Sequence, residues 1–170
     1  MNAFTFNDNP SVSEMMDSLD IELTIIQADP ITKISPEDFR QQALNHMNAL
    51  EEAVDINDDA LILEGNLSFK DGWYAELING MNLTDENPDV IKLGSPFKNH
   101  RDTNVQNMYV VLDDRAIHAY VIKQNKLQTV IDSVQKYIDA EKQFPLPFGA
   151  WFSIDKLKVL AFDPPLAWTT

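Results

Sequence analysis

Three groups of side chains in this sequence could do chemistry: a run of acids, a short basic stretch and three histidines. Glu51, Glu52, Asp55, Asp58 and Asp59 crowd the end of a predicted helix. Exposed carbonyls make a helix C-terminus partly negative, so carboxylates there oppose the dipole and one another. The nearest base downstream is Lys70. A cluster that breaks a local rule without visible compensation points to use, and the use that carboxylates suit is contact with a basic partner. Asp55-Ile56-Asn57-Asp58-Asp59 also starts like a calcium loop, but Ala60 stands at the sixth position and Asn66 at the twelfth, where Gly and Glu are needed.

Lys92, Lys98, His100 and Arg101 form the one basic cluster, able to hold an anion but read first as a solvated loop relieving nearby Glu86 and Asp89. It lies in residues 80–106, where periodicity is weak and Asn87-Pro88 and Gly94-Ser95-Pro96 interrupt. His118 sits in a predicted strand as a packed or surface residue, and His46 is read as facing solvent from an amphipathic helix. No nucleotide-binding glycine loop, H-E-x-x-H or G-x-S-x-G elbow is present. Cysteine is absent, which removes thiolate chemistry and cysteine-based metal sites. No catalytic residue, metal site or cofactor is assigned on this reading.

The net charge of −14 is uneven. Residues 1–60 carry thirteen acids against two bases, or −11; residues 61–124 carry nine against six, or −3; residues 125–170 carry five of each. Such a field repels phosphates and anionic membranes and attracts basic surfaces. The N-terminus lacks the basic start and apolar middle of a signal peptide, no apolar run is long enough to span a bilayer, and a cytoplasmic setting is expected.

Several elements are available to position these groups. Helices are predicted from Ser11, with Val12, Met15, Met16 and Leu19 as its stripe; from Ser35-Pro36, with Phe39, Ala43, Leu44, Met47, Leu50 and Val54; and from Asn125 to Phe144-Pro145. Strands are predicted at residues 21–27, 60–64, 67–69, 73–78, 148–154 and 157–162, with 89–93 as a short one. Met108–Leu112 and Ala116–Ile122, joined by Asp113-Asp114-Arg115, read as a hairpin leading into the last helix.

The expected fold is a single α+β domain over 1–170, with a mainly antiparallel sheet of five to seven strands, three helices, and loose tails at 1–10 and 164–170. The expected function is a non-enzymatic acidic binding module. It would be an inhibitor, DNA-mimic antagonist or immunity-type protein set against a basic, nucleic-acid-binding protein surface, without direct nucleic-acid or membrane contact. Homodimerisation suits that reading. The alternatives are a small hydrolase or transferase using the 80–106 loop, or a phage-type assembly subunit.

Overall fold

The computed structural model describes residues 1–6, 9–28, 36–94, 99–112, 118–141 and 156–169. Ten strands and four helices lie among them: β1 Asn2–Phe6, α1 Pro10–Ser18, β2 Leu23–Ile26, α2 Pro36–Ile56, β3 Ala60–Leu63, β4 Leu67–Phe69, α3 Trp73–Leu83, β5 Val90–Lys92, β6 His100–Asp102, β7 Met108–Val111, β8 Ala119–Ile122, α4 Leu127–Glu141, β9 Val159–Phe162 and β10 Ala167–Thr169. Eight strands form one sheet in the order β2-β1-β3-β8-β5-β9-β7-β6, and β10 pairs with β4 beside it. β1 is parallel to β2 and β3, and β5 is parallel to β9. β8 runs against β3 and β5, and β7 runs against β9 and β6. Six strands therefore share one direction, and β8 and β7 oppose it.

This is a mixed α/β sheet of Rossmann-like build, which corrects the expected mainly antiparallel α+β fold with three helices. The apolar periodicity explains the layering. In β3, Ala60 and Ile62 face one core while Leu61 and Leu63 face the other. β9 divides in the same way, with Val159 and Ala161 on the first side and Leu160 and Phe162 on the second. Strands buried on both faces lose the polar-out alternation of a half-exposed sheet, and helices must then cover both sides. α2 and α4 cover the first face through Ala43, Met47, Leu50, Leu127, Val130, Val134 and Tyr137. α1 and α3 cover the second through Val12, Met16, Trp73, Leu77 and Met81. Each buried Val, Leu or Met among them contributes about 1.5–3 kcal/mol of burial free energy.

Two elements differ in kind from expectation. Residues 73–78 form a helix, α3, because Trp73, Leu77 and Met81 repeat every four residues, a spacing that their β-prone side chains obscure. β7 and β8 make no hairpin, since each lies between other strands. The structure also places residues 2–6 in a buried strand between β2 and β3, and 167–169 in β10. The expected cap at Ser35, turn at 113–115, helix stop at Phe144-Pro145 and strand at 148–154 lie outside the described residues. No described helix is long and apolar enough to cross a membrane.

Candidate functional site

The chain leaves β1 toward β2 on one side and returns through α2 to β3 on the other. The strand order thus reverses between β1 and β3, and a crevice at the carboxyl ends of such strands is where open α/β sheets take ligands. The loops after β1 and β3 are sewn together there. Asn9 Nδ2 donates to Gly65 O at 3.2 Å and to Asn66 Oδ1 at 3.4 Å. α1 and α2 both begin at this edge, so their partly positive ends face the same region.

Glu64 follows β3 directly and continues the alternation of Ala60 and Ile62 toward the α2 face. Gln42 and His46, one helical turn apart on α2, meet it. Gln42 Nε2 donates to Glu64 Oε1 at 2.6 Å, and His46 Nε2 lies 3.4 Å from Oε2. His46 Nδ1 lies 2.6 Å from the Tyr120 hydroxyl. Its ring sits 4.7 Å from that of Phe6 and stacks on Tyr120 at an interplanar angle of 11°. His46 and Tyr120 are fully buried, whereas the Glu64 side chain keeps 18% of its surface. The carboxylate is thus the exposed end of a buried polar chain. His118, exposed just before β8, accepts the Glu64 backbone N–H at 2.7 Å through its carbonyl.

The electrostatics follow from this geometry. Burial pushes the Glu64 carboxyl up, but hydrogen bonds from His46 and Gln42, with the positive fields of His46 and His118 when protonated, outweigh it. The carboxyl is held below its ordinary value. Tyr120 is pushed well above the ordinary tyrosine range by burial and by the Glu64 charge. Its hydroxyl therefore stays protonated; with a neutral imidazole it donates to Nδ1 and the ring proton sits on Nε2 facing Glu64, and with a charged one both ring nitrogens donate. His46→Phe removes that donor, so burial should dominate and the Glu64 carboxyl should titrate higher than in the parent. A carboxyl-carbon NMR titration reads this shift; an unchanged titration would show that the 3.4 Å contact does not hold the charge.

Two further cations lie on the elements that carry this polar chain, α2 and β5 beside β8. Arg40 lies in the second turn of α2, half-buried, and its Nε is buried without a hydrogen-bond partner among the described residues. Lys92 is fully buried, opposite Tyr120 in the β5–β8 register and on the same face. Among the described residues no group of three His, Cys, Asp or Glu could hold a metal ion.

The acidic cluster lies at the other edge of the sheet, where α2 ends and β3 begins. Glu51, Glu52 and Asp55 are exposed. Asp58 accepts from the Met1 amine at 2.7 Å and from Asn2 at 3.1 Å, and the amine's hydrogen bond holds its carboxyl below the ordinary range. Asp59 Oδ1 accepts from the Gln124 backbone N–H at 2.8 Å, at the start of the turn that leads into α4. A carboxylate misplaced at the end of one helix is well placed at the beginning of another. That is the compensation the sequence hides.

The basic residues are dispersed. Lys98 lies outside the described residues, and His100, exposed in β6, packs edge-on to Tyr109 at 4.9 Å. Arg101 pairs with Glu86 at 2.8 Å, and the bonds from Lys158 and Arg101 hold the Glu86 carboxyl below its ordinary value. Sequence reasoning missed Glu64, Gln42, Tyr120 and the burial of His46. Two signals were legible: an apolar run ending in Glu-Gly-Asn, and a histidine within the Ala43, Met47, Leu50 stripe.

No family model matches the chain, and no curated protein matches it. Solved structures do. A glycosyltransferase involved in the glycosylation of the major capsid of PBCV-1 superposes with a TM-score of 0.57 at 9% identity, covering 96% of this chain and 82% of that one. A mannose-1-phosphate geranyltransferase from Thermus thermophilus aligns with a TM-score of 0.45 at 10% identity, over 94% of this chain and 58% of that one. At 9% identity the first likeness is one of fold. It overturns the expectation of a non-enzymatic acidic module: an inhibitor, DNA-mimic or immunity-protein reading conflicts with a glycosyltransferase-type α/β architecture.

Proposed function

We propose that this protein is a glycosyl-transferring enzyme that takes its sugar from a nucleoside-diphosphate donor in the crevice between β1 and β3. One observation carries the reading: an ionised, partly exposed carboxylate, Glu64, held by a buried histidine–tyrosine pair at the strand-order reversal. The glycosyltransferase-type fold supports it. In the reaction an acceptor hydroxyl oxygen bonds to the donor's anomeric carbon, the bond from that carbon to the diphosphate breaks, and its electron pair leaves on a phosphate oxygen. The hydroxyl proton passes to a base.

The residues divide this work by their chemistry. A carboxyl held below its ordinary value is a weak base but a permanent acceptor, so Glu64 receives hydrogen bonds from donor hydroxyls and favours the positive charge that grows on the sugar. Arg40, with its unsatisfied Nε, supplies a cation for the departing phosphate near the start of α2. His118 is the exposed imidazole beside Glu64, and its ring nitrogen is the base that takes the hydroxyl proton. A cytoplasmic setting belongs to this reading and accords with the cysteine-free composition.

Calorimetric titration with uridine- and guanosine-diphosphate sugars tests the proposal. At least one should bind the full chain, and Arg40→Ala should weaken it by about tenfold, the range for a lost charge-assisted hydrogen bond. If none binds at millimolar concentration, the crevice is not a donor site.

A further inference from the structure

We infer that a second cleft, between α3 and residues 104–107, binds a neutral, hydroxyl-rich ligand of the oligosaccharide class. The cleft has a volume of about 500 Å³, within the range of small-molecule sites. α3 supplies Glu76, Asn79 and Leu83 to one wall, and Val105, Gln106 and Asn107 supply the other. The inference stands on this cleft alone and does not require transfer chemistry at Glu64.

The lining selects the ligand by three properties. Side-chain amides are uncharged and present a donor and an acceptor together, which matches neighbouring hydroxyls that both give and take hydrogen bonds. Those of Asn79, Gln106 and Asn107 make no hydrogen bond among the described residues. The one carboxylate, Glu76, is already neutralised by Lys70 Nζ at 2.6 Å. With no unpaired cation among the lining residues, in a chain of net charge −14, phosphates and carboxylates are disfavoured there. Leu83, 63% exposed, and Val105 add apolar surface for the C–H faces of a sugar ring.

The walls are also held in place. Asn104 donates to Leu83 O at 2.7 Å and accepts from the Asp85 N–H at 3.0 Å, tying the loop to the end of α3. Thr103 Oγ1 donates to Met108 O at 2.7 Å and accepts from the Val105 N–H at 3.0 Å. Asn107, left-handed at φ 63°, accepts the Asp163 N–H at 2.9 Å through its carbonyl. Gly80 lets α3 seat on the sheet, since a Cβ there would lie 2.7 Å from both Met108 Cε and Phe162 Cζ. A preformed cleft with its amides unspent loses little entropy on binding. It lies across the sheet from the Glu64 crevice. Phe162 ends β9, three strand spacings from β3, or about 14 Å at ordinary sheet geometry.

The test is an NMR titration of the full 15N-labelled chain with neutral trisaccharides built of glucose, mannose, galactose or N-acetylglucosamine. At least one should shift the side-chain amide resonances of Asn79, Gln106 and Asn107, while inorganic phosphate should not. Combining Asn79→Ala with Gln106→Ala should weaken that binding by about tenfold or more. Glu64→Gln should leave it within about twofold, so failure of the crevice proposal and failure of this one are separable. The inference is overturned if no trisaccharide shifts these resonances at about 50 mM, a concentration that reveals even weak binding. It is equally overturned if the Asn107 shift persists undiminished in the double variant, or if phosphate produces the same shifts in the parent.

Discussion

Glu64→Gln should leave the chain folded and lower turnover with an activated sugar donor by about 10²–10³-fold, the usual loss when one preorganised electrostatic contact to a transition state is removed. The substitution keeps the size of the side chain and removes its charge, so Gln42 and His46 still surround it while the growing positive charge on the sugar loses its anion. The fall should appear chiefly in kcat, because the contact strengthens as the reaction proceeds. Stability reports the same charge independently. Glu64 has a folded pKa below its ordinary 4.5, so its contribution is fully present above about that value and is lost as pH falls through the lower folded one. Denaturant midpoints measured between about pH 6 and pH 3 should therefore drop further in the parent than in the variant. Parallel pH profiles would mean that the His46–Glu64 contact carries no net energy in solution. Undiminished turnover would remove Glu64 from the chemistry.

Gly94→Ala should be the most damaging alanine substitution among the described glycines, costing about 3 kcal/mol as an overpacked site with backbone on its far side. A Cβ at 94 would overlap the Pro165 side chain and lie 2.8 Å from Pro165 Cα and 2.9 Å from Ala167 O. The neighbouring backbone offers no slack. Leu93 O accepts the Leu166 N–H at 2.5 Å, and Leu93 N–H donates to Ala119 O at 2.9 Å. Relief requires displacing the segment that leads into β10, and with it the β10–β4 ladder at Ala167 and Phe69. For a chain of this length the melting temperature should fall by roughly 6–12 °C. Gly65→Ala is the informative comparison. Gly65 has a left-handed φ of 79° but nothing within 4 Å of a Cβ, so it should cost only about 1 kcal/mol of backbone strain. Equal losses at the two positions, by urea denaturation, would show that β10 can move aside freely.

How much of this was legible in the sequence depends on the range of the force concerned. Local signals act within a few residues and were readable. Helical spacing placed both ends of α1, the end of α2 and the start of α4 within two or three residues of those observed. Apolar runs marked β3, β5 and β9, and Asp71-Gly72 marked the turn before Trp73. α3 was misread in kind because Trp, Tyr and Ile favour strands locally, whereas packing of Trp73, Leu77 and Met81 against the sheet decides for helix.

Strand partnership is a different matter. Met108–Val111 and Ala119–Ile122 are close in sequence and look like a hairpin. Their hydrogen bonds instead go to β6 and β9 in one case and to β3 and β5 in the other, because strands greasy on both faces need neighbours on both edges and helices above and below. The candidate site belongs to this second class. Glu64 and His118 stand more than fifty positions apart in sequence, and Tyr120 reaches His46 across 74 residues. No motif spacing records such contacts. What the sequence alone determined was residue chemistry and local period: an acidic, cysteine-free α and β chain with amphipathic helices. Which carboxylate became a buried-walled acceptor, and which merely start a helix or face solvent, was decided by the crossover between β1 and β3. Only tertiary packing brings one acid to a closed polar chain and leaves Glu51, Glu52 and Asp55 in water.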